Sequence, residues 1–193
     1  MTAPHLKDRV KAWWLLVLCL VSYGCGSAPL IHGAEDGSHI HRIYVSGVPF
    51  YPQQAYQCGP ASLAAVLNYW GKAVTPEEIA TAIYSPRLKG TLSLDMWQYA
   101  RAQDLEADMR NGSLEDLKGH LEQHIPVIAF LNLGYRWLPV GHFVVVVGLD
   151  PANHKVITYS GTEQNSPISY DRFLDAWQKT KFWALVVRPK TDI

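Results

Sequence analysis

A nearly continuous apolar segment, FVVVVGL at residues 143–149, places the strongest constraint on how this chain can fold. Apolar side chains occupy both alternating faces of such a segment, which predicts a strand covered on both sides. Residues 150–154 contain Pro and Asn and indicate a turn, after which residues 155–160 return as an antiparallel partner strand. The domain therefore needs a central antiparallel sheet with material packed on both of its faces.

Helical patterns dominate the first half of that domain. Leu63, Val66, Leu67 and Trp70 recur at three- and four-residue spacing, which predicts a helix over residues 58–70. The sequence TPEE at 75–78 is a capping box that opens a second helix. Further helices are expected over 93–103, from the cap Ser113 onwards and over 170–180. Further strands are expected over 43–50, 105–110, 127–131 and 182–187. Helices first and antiparallel strands later indicate an α+β fold.

The N-terminus has the pattern of an export signal. Three basic residues up to Lys11 precede an unbroken apolar run at 12–21, which is too short to cross a bilayer. The following SYGCGS at 22–27 resembles the lipobox of bacterial lipoproteins, in which the cysteine, here Cys25, becomes lipidated. Ser22 stands where Leu is usual, so an ordinary secretory signal is the alternative. We expect a signal over 1–25, a polar tether over 26–42, and a folded domain over 43–190 that is exported and held at the outer side of the membrane by a lipid anchor.

Several partners are not expected. Lys plus Arg equals Asp plus Glu at 17 each and no basic stripe is present, so nucleic acid is not predicted to bind. The chain has no Walker-type glycine loop, which argues against a nucleotide. His39 and His41 are a pair without further clustered ligands and fit a solvated linker better than a metal site. No metal or other cofactor is predicted.

Cys58 is the cysteine that would stay unmodified in the mature domain, and it lies where a loop becomes a helix. A helix N-terminus carries about half a positive charge and unpaired N–H groups, which predicts a lowered thiol pKa and a site for an oxyanion. Gly59 is expected to let a substrate carbonyl approach the backbone. A buried, unreactive thiol is the alternative.

Two motifs carry a family resemblance: QQAYQCGPASL at 53–63 and GHFVVV at 141–146. Together they resemble the papain-like cysteine peptidases related to bacteriocin-leader processing, some of which are free-standing exported proteins. The resemblance implies a papain-like fold in which an N-terminal catalytic helix packs on an antiparallel sheet. It also implies Cys58 as nucleophile, His142 as general base and an upstream Gln as oxyanion donor. Gln53 matches best, and Gln54 and Gln57 are weaker candidates.

The third catalytic member is where the sequence departs from the family, which usually has Asp. Asp150 lies eight extended residues, roughly 26 Å, beyond His142 and cannot reach its ring. In a hairpin turning at 150–154, residues 160–162 return beside His142, and the first of them is Ser160. A hydroxyl can fix the imidazole tautomer but brings no negative charge.

The sequence thus predicts a cysteine peptidase that acts on a peptide or protein substrate. Two alternatives remain open: a catalytically weak or silent peptide-binding lipoprotein of the same fold, and an amidase or transferase that uses the same pair on cell-wall peptides. The loop GYRWLP at 134–139 is either a flap over the substrate groove or a surface loop.

Overall fold

The computed structural model describes residues 41–53 and 57–191. The expected export signal with Cys25, the tether up to residue 40 with His39, and Gln54 lie outside the described residues. No helix in the described part of the chain is long and apolar enough to span a membrane.

The described residues form five helices, each close to where the sequence predicts one. They are α1 Cys58–Tyr69, α2 Pro76–Ile83, α3 Ser93–Ala102, α4 Leu114–Glu122 and α5 Tyr170–Gln178. Thr75 and Glu78 form the predicted capping box of α2, with each side chain bonding to the backbone N–H of the other residue. The Ser113 hydroxyl caps α4 by accepting from the Asp116 N–H.

Nine strands complete the described part. They are β1 Ile43–Tyr44, β2 Tyr84–Ser85, β3 Gly90–Thr91, β4 Glu106–Asn111, β5 Val127–Asn132, β6 Gly141–Asp150, β7 Lys155–Ser160, β8 Glu163–Ser169 and β9 Trp183–Arg188. Seven of them form one sheet in the order β4-β9-β5-β6-β7-β8, with β1 added alongside β6. β2 and β3 form a separate hairpin. Every pairing is antiparallel.

The apolar segment 143–149 is the centre of this sheet and is buried throughout, as its composition predicts. It belongs to β6, which has β5 on one side and β7 on the other. Helix α1 packs against β6 and is buried from Gly59 to Leu67. From α5, Phe173 and Trp177 contribute two fully buried rings to the core. The α+β class is confirmed, with the N-terminal helix of the domain packed on an antiparallel sheet.

One local prediction was wrong, and two elements of the fold were not predicted. The strand expected over 43–50 ends at Tyr44, because Gly47 has a φ of +81° and Pro49 has no N–H to donate to a ladder. Strand β8 was not predicted because its sequence, EQNSPIS, is polar and contains Pro167, which an outer strand tolerates. The two-residue strands of the β2–β3 hairpin are too short to show a periodic pattern.

Candidate active site

One cavity brings together the predicted nucleophile, base and oxyanion donor. It has a volume of about 480 Å³, and Gln53, Cys58 and His142 all line it. The three residues come from three different segments: the loop before α1, the first residue of α1, and the second residue of β6. The packing of α1 against β6 therefore creates the site, because it brings a helix end beside the beginning of the central strand.

The Cys58 side chain is half-buried at the start of α1. The backbone N–H groups of Phe143, Gly59 and Cys58 itself favour the thiolate and act to lower the pKa of Cys58. Burial acts in the opposite direction and is the larger effect, so the pKa of Cys58 is raised above that of an ordinary thiol. The predicted lowering of this pKa is therefore wrong. The helix end stabilises the thiolate, but desolvation outweighs it.

Within the part of the chain that the structure describes, one hydrogen bond orients the His142 side chain. Its Nε2 atom lies 2.8 Å from the Ser160 Oγ atom. If the hydroxyl accepts this bond, Nε2 carries the ring proton and Nδ1 remains available as the basic nitrogen. Burial lowers the pKa of His142, so its neutral form is favoured. The contact arises because Ser160 ends β7, the strand that returns antiparallel beside β6.

Asp150 is remote from this contact, as its distance along the strand predicts. It lies at the opposite end of β6, where it pairs with Lys155. Its carboxylate instead accepts hydrogen bonds from the backbone and side chain of Asn153, within the turn after β6. The group that reaches the His142 ring is thus the neutral hydroxyl of Ser160.

Gln53 is fixed to the turn that follows β7. Its backbone N–H donates to the Gly161 carbonyl at 2.8 Å, and its side-chain Oε1 accepts from the Gly161 N–H at 3.1 Å. Gly161 has a φ of +59°, a conformation that glycine adopts at no steric cost. Among the described residues the Gln53 Nε2 group has no hydrogen-bond partner and is left as a donor. Gln57 precedes α1 and makes no side-chain capping bond there.

Gly59 lies in close contact with the β2–β3 hairpin. A Cβ atom at this position would lie 2.9 Å from the Cβ of Thr91 and 3.1 Å from its Oγ1. The absent side chain therefore makes room for the β2–β3 hairpin, and the approach of a substrate carbonyl at Gly59 stays a prediction. This hairpin forms one wall of the cavity, to which it contributes Leu88, Lys89 and Gly90.

The walls of the cavity are rich in exposed apolar side chains. Leu88 on the hairpin is 57% exposed, and Val140, which directly precedes β6, is 52% exposed. The loop at 134–139 leads into Val140, and its Tyr135 and Trp137 rings stack at 5.7 Å. These rings are 68% and 78% exposed. Whether the loop covers a substrate groove or is a surface loop stays a prediction.

No group of three or more His, Cys, Asp or Glu side chains in the described ranges could hold a metal ion. The described residues that line the cavity contribute a thiol, an imidazole, an amide, an ammonium group and backbone N–H groups.

The architecture, a helix that begins with a cysteine and packs on an antiparallel sheet, is that of papain-like peptidase domains. The chain belongs to the Peptidase_C39-like family, whose model matches residues 45–185. No curated protein matches it.

Solved structures of similar fold are peptidase domains. A putative C39-like peptidase from Bacillus anthracis superposes with a TM-score of 0.65 at 18% identity, over 79% of this chain and 100% of that one. The peptidase domain of Streptococcus ComA, a bifunctional ABC transporter, gives 0.61 at 22% identity, over 75% and 100%. A double-glycine-motif protease from an AMS/PCAT transporter, crystallised with its leader peptide, gives 0.60 at 26% identity, over 76% and 94%. These matches confirm the papain-like fold.

Proposed function

We propose that this protein is a cysteine peptidase that hydrolyses peptide bonds with Cys58 as nucleophile and His142 as general base. The main support is that both residues line one cavity and that the imidazole is held by a hydrogen bond from a neighbouring strand. Peptides are the proposed substrates because the family consists of C39-like peptidases and the AMS/PCAT protease binds a leader peptide.

Acylation would begin with attack of the Cys58 sulfur on the substrate carbonyl carbon. The imidazole takes the thiol proton, through Nδ1 if Nε2 is bonded to Ser160, and a C–S bond forms as the carbonyl π electrons move to oxygen. When the tetrahedral intermediate collapses, the C–N bond breaks and His142 gives its proton to the leaving amine. A water molecule then repeats the sequence on the thioester, with His142 again as base, and releases the carboxylic acid.

The oxyanion would be held by the Gln53 amide and by the backbone N–H of Cys58. The Gly161 N–H occupies Oε1 of Gln53, which fixes the amide and leaves Nε2 to donate. A donor aimed in advance at the developing charge typically contributes about 3–4 kcal/mol to transition-state stabilisation. Gln53 is therefore proposed as a catalytic residue and Ser160 as a positioning residue.

The resting pair is proposed to be neutral. Burial raises the pKa of Cys58 and lowers that of His142, and both effects disfavour a thiolate–imidazolium pair. Ser160 supplies no charge to offset them. Proton transfer would therefore accompany attack on the substrate rather than precede it, which gives a slower nucleophile than a preformed thiolate.

We also propose that the protein is exported and lipidated at Cys25. The support is the basic start, the short apolar run and the SYGCGS segment of the N-terminus. Metabolic labelling with a palmitate analogue tests this proposal. Cys25→Ser should abolish the label, while Cys19→Ser should leave it unchanged. Labelling of the Cys25→Ser protein would contradict lipidation at this position.

Cleavage of a peptide library by the purified protein tests the peptidase proposal. Products should appear with the wild type and be absent with Cys58→Ala, which removes the sulfur. His142→Ala should lower the rate of product formation by at least about 100-fold. Cys58→Ser is the matched control, since it keeps the shape and a weaker nucleophile. Equal cleavage by wild type and Cys58→Ala would contradict the proposal.

The neutral third residue favours a second candidate, a peptide-binding protein with little or no catalysis. Alkylation of Cys58 by iodoacetamide at pH 6 separates the two candidates, because the thiolate is the form that reacts. In an enzyme, His142→Ala should lower the alkylation rate of Cys58, because the imidazole no longer accepts the thiol proton during attack. Equal alkylation rates in the wild type and His142→Ala would favour the binding protein.

A further inference from the structure

The catalytic cavity contains one charged side chain whose role the peptidase mechanism leaves unexplained. Lys89 is the one acidic or basic residue (Asp, Glu, Lys or Arg) among the described residues that line the cavity. The other lining groups are apolar side chains, glycines and uncharged polar groups. The side-chain ammonium group of Lys89 takes part in none of the ion pairs or hydrogen bonds within the described part of the chain. None of the described residues that line the cavity therefore supplies a carboxylate to neutralise this cation.

The position of Lys89 is set by a short, well-anchored hairpin. Lys89 precedes β3 and has a φ of +49°, and its backbone N–H donates to the Pro86 carbonyl at 3.3 Å. Two residues later Thr91 packs directly against Gly59, next to the nucleophile. The hairpin is thus fixed to the beginning of α1, and Lys89 is held at a set place on the cavity wall although its side chain is exposed.

We propose that Lys89 selects peptides that carry a carboxylate close to the scissile bond. The inference rests on the proposed peptidase function, because it concerns the substrate of the same site. A cavity of 480 Å³ is about 10 Å across, which an extended peptide crosses in about three residues. The carboxylate would therefore belong to an Asp or Glu within about three residues of the cleaved bond, or to the peptide's own C-terminus. Leu88 beside the cation provides an apolar contact for the neighbouring side chain.

The charge distribution around the hairpin supports an acidic partner. Arg87 lies two residues before Lys89 on the same turn and is also exposed. The segment SPRLKG at 85–90 contains two basic residues and no acidic one, so its field attracts a carboxylate towards the cavity mouth. An acidic peptide gains from this field, whereas a basic one is repelled.

Equilibrium binding to the full-length Cys58→Ala protein tests the proposal without requiring cleavage. The probe is a fluorescein-labelled octapeptide set in which Glu or Gln occupies each position in turn, with a free or an amidated C-terminus. At one position the Glu peptide should bind about fivefold more tightly than its Gln partner, and 0.5 M salt should reduce the difference. If Lys89 instead recognises the C-terminal carboxylate, the peptide with a free C-terminus should bind more tightly than the amidated peptide.

Variants at position 89 identify the group responsible. Lys89→Met should remove the preference and Lys89→Glu should reverse it, while Lys155→Met, a change to an exposed lysine at the far end of β6 and β7, should leave it intact. A preference that survives in Lys89→Met, or no preference at any position, would overturn the inference. Failure of the wild type to cleave any peptide would count against the peptidase function alone, because binding is measured on the inactive protein.

Discussion

Replacement of Ser160 by Asp should convert the neutral Cys58–His142 pair into a more reactive one. The Ser160 hydroxyl lies 2.8 Å from His142 Nε2, so a carboxylate at this position would sit at hydrogen-bond distance from the ring. An opposite charge this close typically stabilises an imidazolium by about 1.5–4 kcal/mol. Burial lowers the pKa of His142 in the wild type, and the new carboxylate acts in the opposite direction by raising it. The population of the thiolate–imidazolium pair should rise at least about tenfold.

Iodoacetamide alkylation measures this population directly. The rate is followed at pH 6 by mass spectrometry of the proteolytic fragment that contains Cys58, and Ser160→Asp should be alkylated at least about tenfold faster than wild type. Ser160→Asn is the matched control, since it has nearly the same shape without the charge and should not accelerate the reaction. The Ser160→Asp/His142→Ala double variant should lose the gain. An equal acceleration in the Asp and Asn variants, or none in either, would refute the role assigned to charge at this position.

Three further predictions concern the residues around the site. Gln53→Glu keeps an acceptor for the Gly161 N–H but removes the Nε2 donor. The kcat for peptide cleavage should therefore fall by about 100-fold or more, while the peptide affinity of the inactive protein stays within about threefold. An unchanged kcat would exclude Gln53 from the oxyanion site. Gly59→Ala should lower the free energy of unfolding in urea by about 1–3 kcal/mol, because its Cβ would overlap Thr91. Adding Thr91→Gly should recover part of this loss, whereas additive losses in the double variant would contradict the contact. Thr75→Ala should lower the free energy of unfolding in the same assay by about 1 kcal/mol, because it removes the α2 cap. Thr75→Ser keeps the hydroxyl and should lower it little. Equal losses in the two variants would exclude the hydroxyl as the cause.

The sequence predicted the elements of the fold and the neighbourhood of His142 well, because both depend on local periodicity. The length of β6 and the turn after it determine which residue returns beside His142, so simple strand geometry indicated Ser160 and excluded Asp150. The roles of these residues in catalysis remain predictions.

Features that depend on packing between distant segments could not be predicted in this way. The direction of the Cys58 pKa shift was wrong because the helix N-terminus is visible in the sequence, whereas the depth of burial is not. The contact between Gly59 and Thr91 depends on a hairpin with two-residue strands, which leave no periodic signal. Lys89 likewise lies in a polar turn, and only the folded hairpin shows that it borders the cavity.

The two outermost strands of the sheet also bear on how copies of this protein behave at high concentration. An outer strand displays unpaired backbone groups that can template cross-β growth into fibrils. Here β8 begins with three exposed polar residues and contains Pro167, while β4 ends in exposed Arg110 and Asn111. Side chains of this kind make edge-to-edge addition of another molecule unfavourable. The seven-stranded sheet can therefore keep the apolar segment 143–149 at its centre without recruiting further copies into an aggregate.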